Sequence, residues 1–152
     1  MLNVTQRREL TDELRSLSTL GKIDYGDIAT IATRARATPA RWARAVIEHA
    51  AGAPAQVFWR AIGLRLDHSE HHIGGWKVAG EGDDWIVLET SSWYATVNAI
   101  GQLDDGHLSL ALLARFDHPF ARIACPPITF FHRRGIPHLL RAAVRHVERV
   151  VE

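Results

Sequence analysis

The sequence predicts an α+β fold, one antiparallel sheet curled around a long C-terminal helix, and three observations predict it. From Leu64 to Phe116 the apolar residues settle into a period of two, in runs rich in Trp, Val, Ile, Tyr and Thr. Ile136, Leu140, Ala143, Val147 and Val150 then recur at intervals of four, three, four and three, with Arg141, Arg145 and Arg149 on the opposite side, which is the stripe of an amphipathic helix. Before the sheet come a strand and a pair of short helices, and this order buries every apolar face only if the sheet wraps the terminal helix.

Size and charge bound the function. With 152 residues, 47% hydrophobic and 23% charged, the chain has the make-up of one soluble domain, residues 1–152, and the disordered and collagen-like classes are excluded. A net charge of +1 makes no field of one sign, so no nucleic acid and no anionic membrane is expected as a partner. The charge is uneven, +3 over residues 1–63, −6 over 64–106 and +4 over 107–152, as expected where hairpin turns collect Asp and helix surfaces collect Arg. The single Cys125 closes no intrachain disulfide, and Arg7, Arg8, Glu9, Asp12, Glu13 and Arg15 stand where a signal peptide needs an apolar core. A cytoplasmic protein is the expectation. The longest aliphatic run, Leu110 to Ala114, is far below the roughly 18 residues of a membrane span.

In chain order, Leu10, Leu14, Leu17 and Leu20 predict a helix over 5–20 capped by Thr5. Gly21 and Gly26 bracket the change to a strand over Asp27 to Arg34, where Ile28, Thr30 and Ala32 alternate with Ala29 and Ile31. In ATPARWARAVIEHAAG, Thr38 is the N-cap, Pro39 takes the first helical position, and Gly52 ends the helix. Its stripe is Trp42, Ala43, Val46, Ile47 and Ala50. A second helix from about Pro54 to Ile62 turns Val57, Phe58 and Ile62 inward before Gly63 stops it. Gly80-Glu81-Gly82-Asp83, Ser91-Ser92 and Asp104-Asp105-Gly106 mark the turns of an antiparallel meander. On its last strand Leu108, Leu110, Leu112, Ala114 and Phe116 form a covered face, and His107, Ser109, Leu113 and Arg115 a mostly wet one. Pro126, Pro127, Gly135 and Pro137 then predict a kinked or two-part helix. Phe120, Phe130 and Phe131 in that stretch point to packing over an apolar opening or against the sheet.

This order is that of the helix-grip fold of START-like lipid-transfer domains, plant pollen-allergen-type proteins and polyketide cyclases. From about Asp24 to Val147 the chain resembles an uncharacterised bacterial family of this START-like, polyketide cyclase-like (SRPBCC) superfamily. The matching pieces are DYGDIATI, TPARWARAVIE, GLRL, GWKV, WIVLETSSW and FFHRRGIPHLLRAA. The resemblance implies a cavity, rather than a filled core, between the sheet and the C-terminal helix. It brings no established reaction and no catalytic residues, and it leaves the first twenty residues outside as an extra N-terminal helix.

Several constellations are candidates for chemistry. In DHSEHH, His68, Glu70 and His71 carry donors suited to zinc, although His71 and His72 point apart in an extended chain and no CxxC or HExxH accompanies them. A solvated polar loop is the simpler reading, and neither a metal nor a cofactor is called for. His132, between Phe130-Phe131 and Arg133-Arg134, suits the place where an apolar cavity meets cations that hold an anionic head group. Glu89, beside Ile86, Val87 and Leu88, becomes a proton-transfer group if it faces a cavity, and an outward carboxylate paired with a cross-strand Arg if it does not. Cys125 has no neighbouring base, and neither a GxSxG elbow nor a glycine-rich phosphate loop is present. Trp42 and Trp59 lie on helical stripes, whereas Trp76, Trp85 and Trp93 lie in the sheet and suit an aromatic pocket.

Three functions follow. The first is binding or carriage of a small hydrophobic or amphipathic molecule between sheet and C-terminal helix, lined by Trp76, Leu88, Trp93, Leu110, Leu112, Phe131 and Leu140, with His132 and Arg133 at an opening. The second is a cyclase, dehydratase or isomerase working by general acid/base catalysis through Glu89, His107 or His132. The third is an interaction protein with a filled core, such as a homodimer or an accessory subunit.

Overall fold

The computed structural model describes residues 3–151. Its seven strands are β1 (Val4–Arg7), β2 (Tyr25–Ala32), β3 (His72–Ile73), β4 (Trp76–Glu81), β5 (Trp85–Ser91), β6 (Ala95–Asp104) and β7 (His107–Phe116). The helices are α1 (Asp12–Leu17), α2 (Pro39–Arg44), α3 (Gly52–Ala61) and α4 (Ala121–Val151), with a π-helical segment, Ala45–Ala51, joining α2 to α3. The strands form one curved sheet in the order β1-β2-β7-β6-β5-β4-β3, every neighbouring pair antiparallel. The meander β4 to β7 is continuous in space, and β2 joins it beside β7 because the helical pair carries the chain from one side of the sheet to the other. The fold is α+β, a seven-stranded antiparallel sheet with a long C-terminal helix. Among the described residues no helix is long and apolar enough to cross a membrane.

The register sorts side chains onto two faces. Asp27, Ala29 and Ile31 of β2 stand opposite Leu112, Leu110 and Leu108 of β7. Ala99 and Gly101 of β6 stand opposite Leu88 and Ile86 of β5. Most of these pack inward with Ile136, Leu140, Ala143, Val144 and Val147 of α4 and with Trp42, Val46 and Ile47 of the helical pair. The outer face is not wet. Ile28, Val87, Ile100, Ala111 and Leu113 are buried there under Leu10, Leu14 and Leu20.

The N-terminal segment that covers this face is not the single helix over 5–20 that leucine spacing suggests. Thr5 lies in β1, paired with Thr30, and the helix is confined to Asp12–Leu17. Its cap is Thr11, whose hydroxyl accepts from Leu14 N. The chain then bends so that Asn98, fully buried on the outer face, clasps it: Asn98 Oδ1 accepts from the Ser18 hydroxyl at 2.9 Å and from Thr19 N at 3.0 Å, and Nδ2 donates to Thr19 Oγ1 at 2.9 Å.

Thr38 caps α2 by accepting from Arg41 N, with Pro39 in the first turn. Gly52, at φ 59, lets the chain turn from the π-helical segment into α3. Phe58 and Ile62 face inward as expected, but Val57 is solvent-exposed, on the far side of α3. The turn between β3 and β4 is held against the helical pair by Gln56 Nε2, which donates to Gly74 O at 2.7 Å, and by Gly74 N, which donates to Glu48 Oε2 at 3.1 Å.

Of the two forms expected, the two-part helix is not found: the stretch is one element, α4, with Pro126, Pro127 and Pro137 inside it. Proline at position i leaves the carbonyl of i−4 without its helical donor. For Pro137 that carbonyl belongs to Arg133, and Gln6 Nε2 of β1 donates to it at 2.7 Å. The edge strand thus supplies the hydrogen bond that proline removes.

Candidate functional site

Between the sheet, the helical pair and the first half of α4 lies a cavity of about 820 Å3, within the range of small-molecule sites. Trp76, Val97, Leu110 and Leu112 line it from the sheet, Ile47, Phe58, Trp59 and Ile62 from the helical pair, and Cys125, Ile128, Phe131, His132 and His138 from α4. Trp59 and Trp76 meet edge to face at 5.6 Å. At the rim Phe131 is 62% exposed and Phe58 38%, so the cavity opens to solvent between α3 and α4.

Its few polar groups are mostly committed elsewhere. The Tyr94 hydroxyl donates to Ile62 O, and Thr129 Oγ1 donates to Cys125 O at 2.9 Å. Burial pushes the Tyr94 phenol and the Cys125 thiol above their ordinary ranges, so Cys125 stands as a protonated thiol in the wall. The Nε1–H of Trp76 is buried with no hydrogen-bond partner among the described residues.

His132 is different. Its Nε2 lies 3.4 Å from Asp27 Oδ1, and Asp27 is buried. The other carboxylate oxygen, Oδ2, accepts from the Tyr25 hydroxyl. Burial, and then the bond to Asp27, drive the Tyr25 phenol far above its ordinary value, against the pull of the Arg8 guanidinium 4.3 Å from the ring centroid. Tyr25, Asp27 and His132 thus stand in a row from the core to the cavity wall, Asp27 accepting from the tyrosine hydroxyl on one side and facing the His132 imidazole at 3.4 Å on the other. The register places Asp27 there: it shares the inward face of β2 with Ala29 and Ile31 and stands opposite Leu112.

Of the other expected site residues, Trp76, Leu110, Leu112, Phe131 and His132 line the cavity. Leu88 is outside that lining, against a separate crevice of about 20 Å3 that Trp42 and Val46 also line. Leu140 is fully buried among core residues. Trp93 is 56% exposed in the β5–β6 turn, stacked on Phe120 with ring centroids 5.1 Å apart. Arg133 is not in the lining, and Arg134 sits over the ring of Phe130, so the cation expected beside His132 is replaced by the Asp27 carboxylate.

Glu89 belongs to the outer face. Its cross-strand neighbours are Lys77 and Asn98, and its carboxylate accepts from the Thr19 hydroxyl. It is an outward carboxylate, with Lys77 rather than Arg across the strand, and it helps to hold the N-terminal segment. His107 is exposed beside the β6–β7 turn, its Nδ1 3.2 Å from Asp105 O. In the histidine loop, His68 Nε2 lies 3.4 Å from Arg60 Nη2, Glu70 is exposed, and His71 is held outward at φ 62. Among the described residues no three His, Cys, Asp or Glu side chains are placed to hold one metal ion.

Asp27 and Tyr25 are the residues that sequence reasoning missed. The signal was a carboxylate on the same strand face as Ala29 and Ile31. Comparison of the chain with protein-family models, with curated proteins and with solved structures finds no match.

Proposed function

We propose that this protein is a helix-grip domain of the START-like, polyketide cyclase-like kind that binds or carries a small hydrophobic or amphipathic molecule. The observation that carries the reading is the cavity of about 820 Å3 between sheet, helical pair and C-terminal helix, lined almost wholly by apolar and aromatic side chains. Its position under the terminal helix, the sheet order and the helical pair after an early strand all support the superfamily. A domain of this size without a binding role fills such a space, because an unfilled apolar interior forfeits dispersion contacts and stability.

One observation favours a second reading, an enzyme of the cyclase, dehydratase or isomerase type. His132, at the cavity wall with the buried Asp27 carboxylate behind it, has the arrangement of a general base whose orientation is fixed by a third group. Glu89 and His107 have no part in this reading, since neither lines the cavity.

Native mass spectrometry of protein purified without added ligand, repeated after denaturation, tests binding directly. Excess mass lost on denaturation is the expected result. Leu112→Trp places an indole in the cavity from the middle of the sheet and is expected to abolish uptake of the carried molecule while leaving the far-ultraviolet circular dichroism unchanged. Undiminished uptake by this variant overturns the placement.

A further inference from the structure

We propose that the surface around the cavity mouth is a docking face for an anionic phospholipid membrane, with the first half of α4 lying in the plane of the headgroups. The inference goes beyond what the cavity holds; only the choice of a membrane over an acidic protein rests on the cavity reading above.

The fold leaves a set of large apolar side chains in water. Ile123, Pro127, Phe130 and Arg134 recur at intervals of four, three and four along α4, so they share one side of the helix. All four are exposed, Ile123 at 74% and Phe130 at 55%, and none of them lines the cavity. Phe131, at the cavity rim, meets Phe130 edge to face at 5.8 Å. Phe58 of α3 stands at the same rim. At the head of α4 the exposed ring of Trp93 stacks on that of Phe120. Apolar residues scattered singly over a surface need no explanation, but these are gathered along one helix and around one opening.

Charge identifies what covers them. A net charge of +1 gives the whole molecule no field of one sign, but the charge is unevenly placed. Residues 49–66, which hold α3, and residues 118–147, which hold most of α4, together carry seven Arg and no Asp or Glu, against a net −6 for the rest of the chain. Asp117, at the head of α4, is tied to Arg115 at 2.7 Å. Arg134 Cζ lies 5.5 Å from the Phe130 ring centroid, so its stem lies along the apolar stripe while its guanidinium reaches the level of lipid phosphates. A second copy of the chain would set seven arginines against seven, which opposes self-association through this face. Aromatic and aliphatic side chains beside arginines on one exposed helix face suit the headgroup boundary of a bilayer. A bilayer is also where apolar molecules collect, and the mouth of the cavity opens within this face. Among the described residues no helix is long and apolar enough to cross a membrane, so the docking is peripheral.

Sedimentation of the full-length protein with sucrose-loaded vesicles tests the inference, using phosphatidylcholine alone and an equimolar mixture of phosphatidylcholine and phosphatidylglycerol. Partition into the anionic vesicles is expected to be at least about tenfold stronger at low salt, with most of the advantage lost at high salt. Replacing Ile123 and Phe130 together by serine is expected to lower partition about tenfold or more, and Arg134→Glu to lower it by about tenfold. These positions are exposed and outside the cavity lining, so uptake of a carried molecule should be unchanged. Equal partition into the two kinds of vesicle, no partition, or partition undiminished by the double substitution overturns the docking face. A dimer in analytical ultracentrifugation that the double substitution dissolves also overturns it, since a second copy then covers the stripe. A carried molecule seen by native mass spectrometry in a protein that ignores vesicles overturns the docking face alone, whereas vesicle binding with no molecule taken up overturns the cavity reading alone. The comparison of vesicle compositions with the unmodified protein decides the matter even if a variant does not fold.

Discussion

Replacing Leu112 and Leu140 in turn by alanine probes the cavity without any ligand. The two substitutions remove the same three carbons from one apolar side chain, and they differ only in what surrounds it. Leu140 is fully buried, in a cluster with Ile136, Ala143, Val144 and Trp42. Its loss forfeits roughly 0.8 kcal/mol per carbon in transfer free energy. It also leaves an enclosed void, which brings the total to about 3–5 kcal/mol. Leu112 is only partly buried and already faces the open space. Shortening it enlarges a cavity that exists, so the void term is small and only part of the transfer term applies, about 1–1.5 kcal/mol. Urea unfolding followed by tryptophan fluorescence and by circular dichroism measures both, provided that the two probes coincide and the slope with denaturant is unchanged. The expected gap is about 2 kcal/mol or more. Equal costs near 4 kcal/mol mean that Leu112 is packed as tightly as Leu140, and the reasoning from an open cavity then fails.

Gly74→Ala is expected to cost more than about 1 kcal/mol, because Gly74 has φ 58 and an added Cβ would lie 2.1 Å from Ile47 Cγ2; a melting temperature equal to that of the parent would contradict the close approach of the β3–β4 turn to the helical pair. Tyr25 and Tyr94, the two tyrosines of the chain, both have phenols raised above the ordinary value of 10.0 by burial. The stability they provide is complete below that value and is lost as pH rises toward the folded-state values. Phenolate absorbance is therefore expected to appear together with loss of structure, and ionisation at pH near 10 with the fold intact would count against their buried placement. Asp24 is held below its ordinary 3.8 chiefly by Phe116 N–H, which donates to it at 2.7 Å, and then by Lys22. Its contribution is present above 3.8 and is lost as pH falls through the lower folded-state value. Asp24→Asn should accordingly show a shallower loss of stability on acidification than the parent, and an unchanged acid profile would argue against this link between the start of β2 and the end of β7.

Much of the fold was legible because its local signals agree. The turns after β4, β5 and β6 carry Gly, Ser and Asp where tight turns need them, and α4 carries a stripe at helical spacing from Ile136 to Val150. What misled was the assumption of a one-sided sheet. Strands β5 and β7 bury residues on both faces: Ile86 and Leu88 pack inward, Val87 outward, and Leu113 is as buried as Leu108. Alternation of apolar and polar residues is then blurred, and parity alone cannot tell which of Leu88 and Glu89 faces a cavity. Leu10, Leu14 and Leu20 were read correctly as one apolar set, but their partner is the outer face, and the bend that seats them there depends on Asn98, some eighty residues away. The three prolines of α4 likewise argue locally for a break. The bond from Gln6 to Arg133 O is a long-range compensation that no local pattern announces.

The candidate site shows the same division between local and tertiary information. His132 was conspicuous in the sequence because it stands between Phe130-Phe131 and Arg133-Arg134, whereas Asp27 was hidden in a strand as an ordinary first residue. Yet Asp27 gives the site its chemistry. At this position, opposite Leu112 and in line with Ala29 and Ile31, an apolar side chain would fill the core and avoid the desolvation cost of a carboxylate. The chain instead holds the carboxylate between a tyrosine hydroxyl and an imidazole, an arrangement that replacement by well-packed apolar residues commonly leaves neutral or improves in stability. A buried acid kept at such a cost, with its imidazole partner at the wall of an otherwise apolar cavity, is better explained by what it does to that imidazole than by what it adds to the fold.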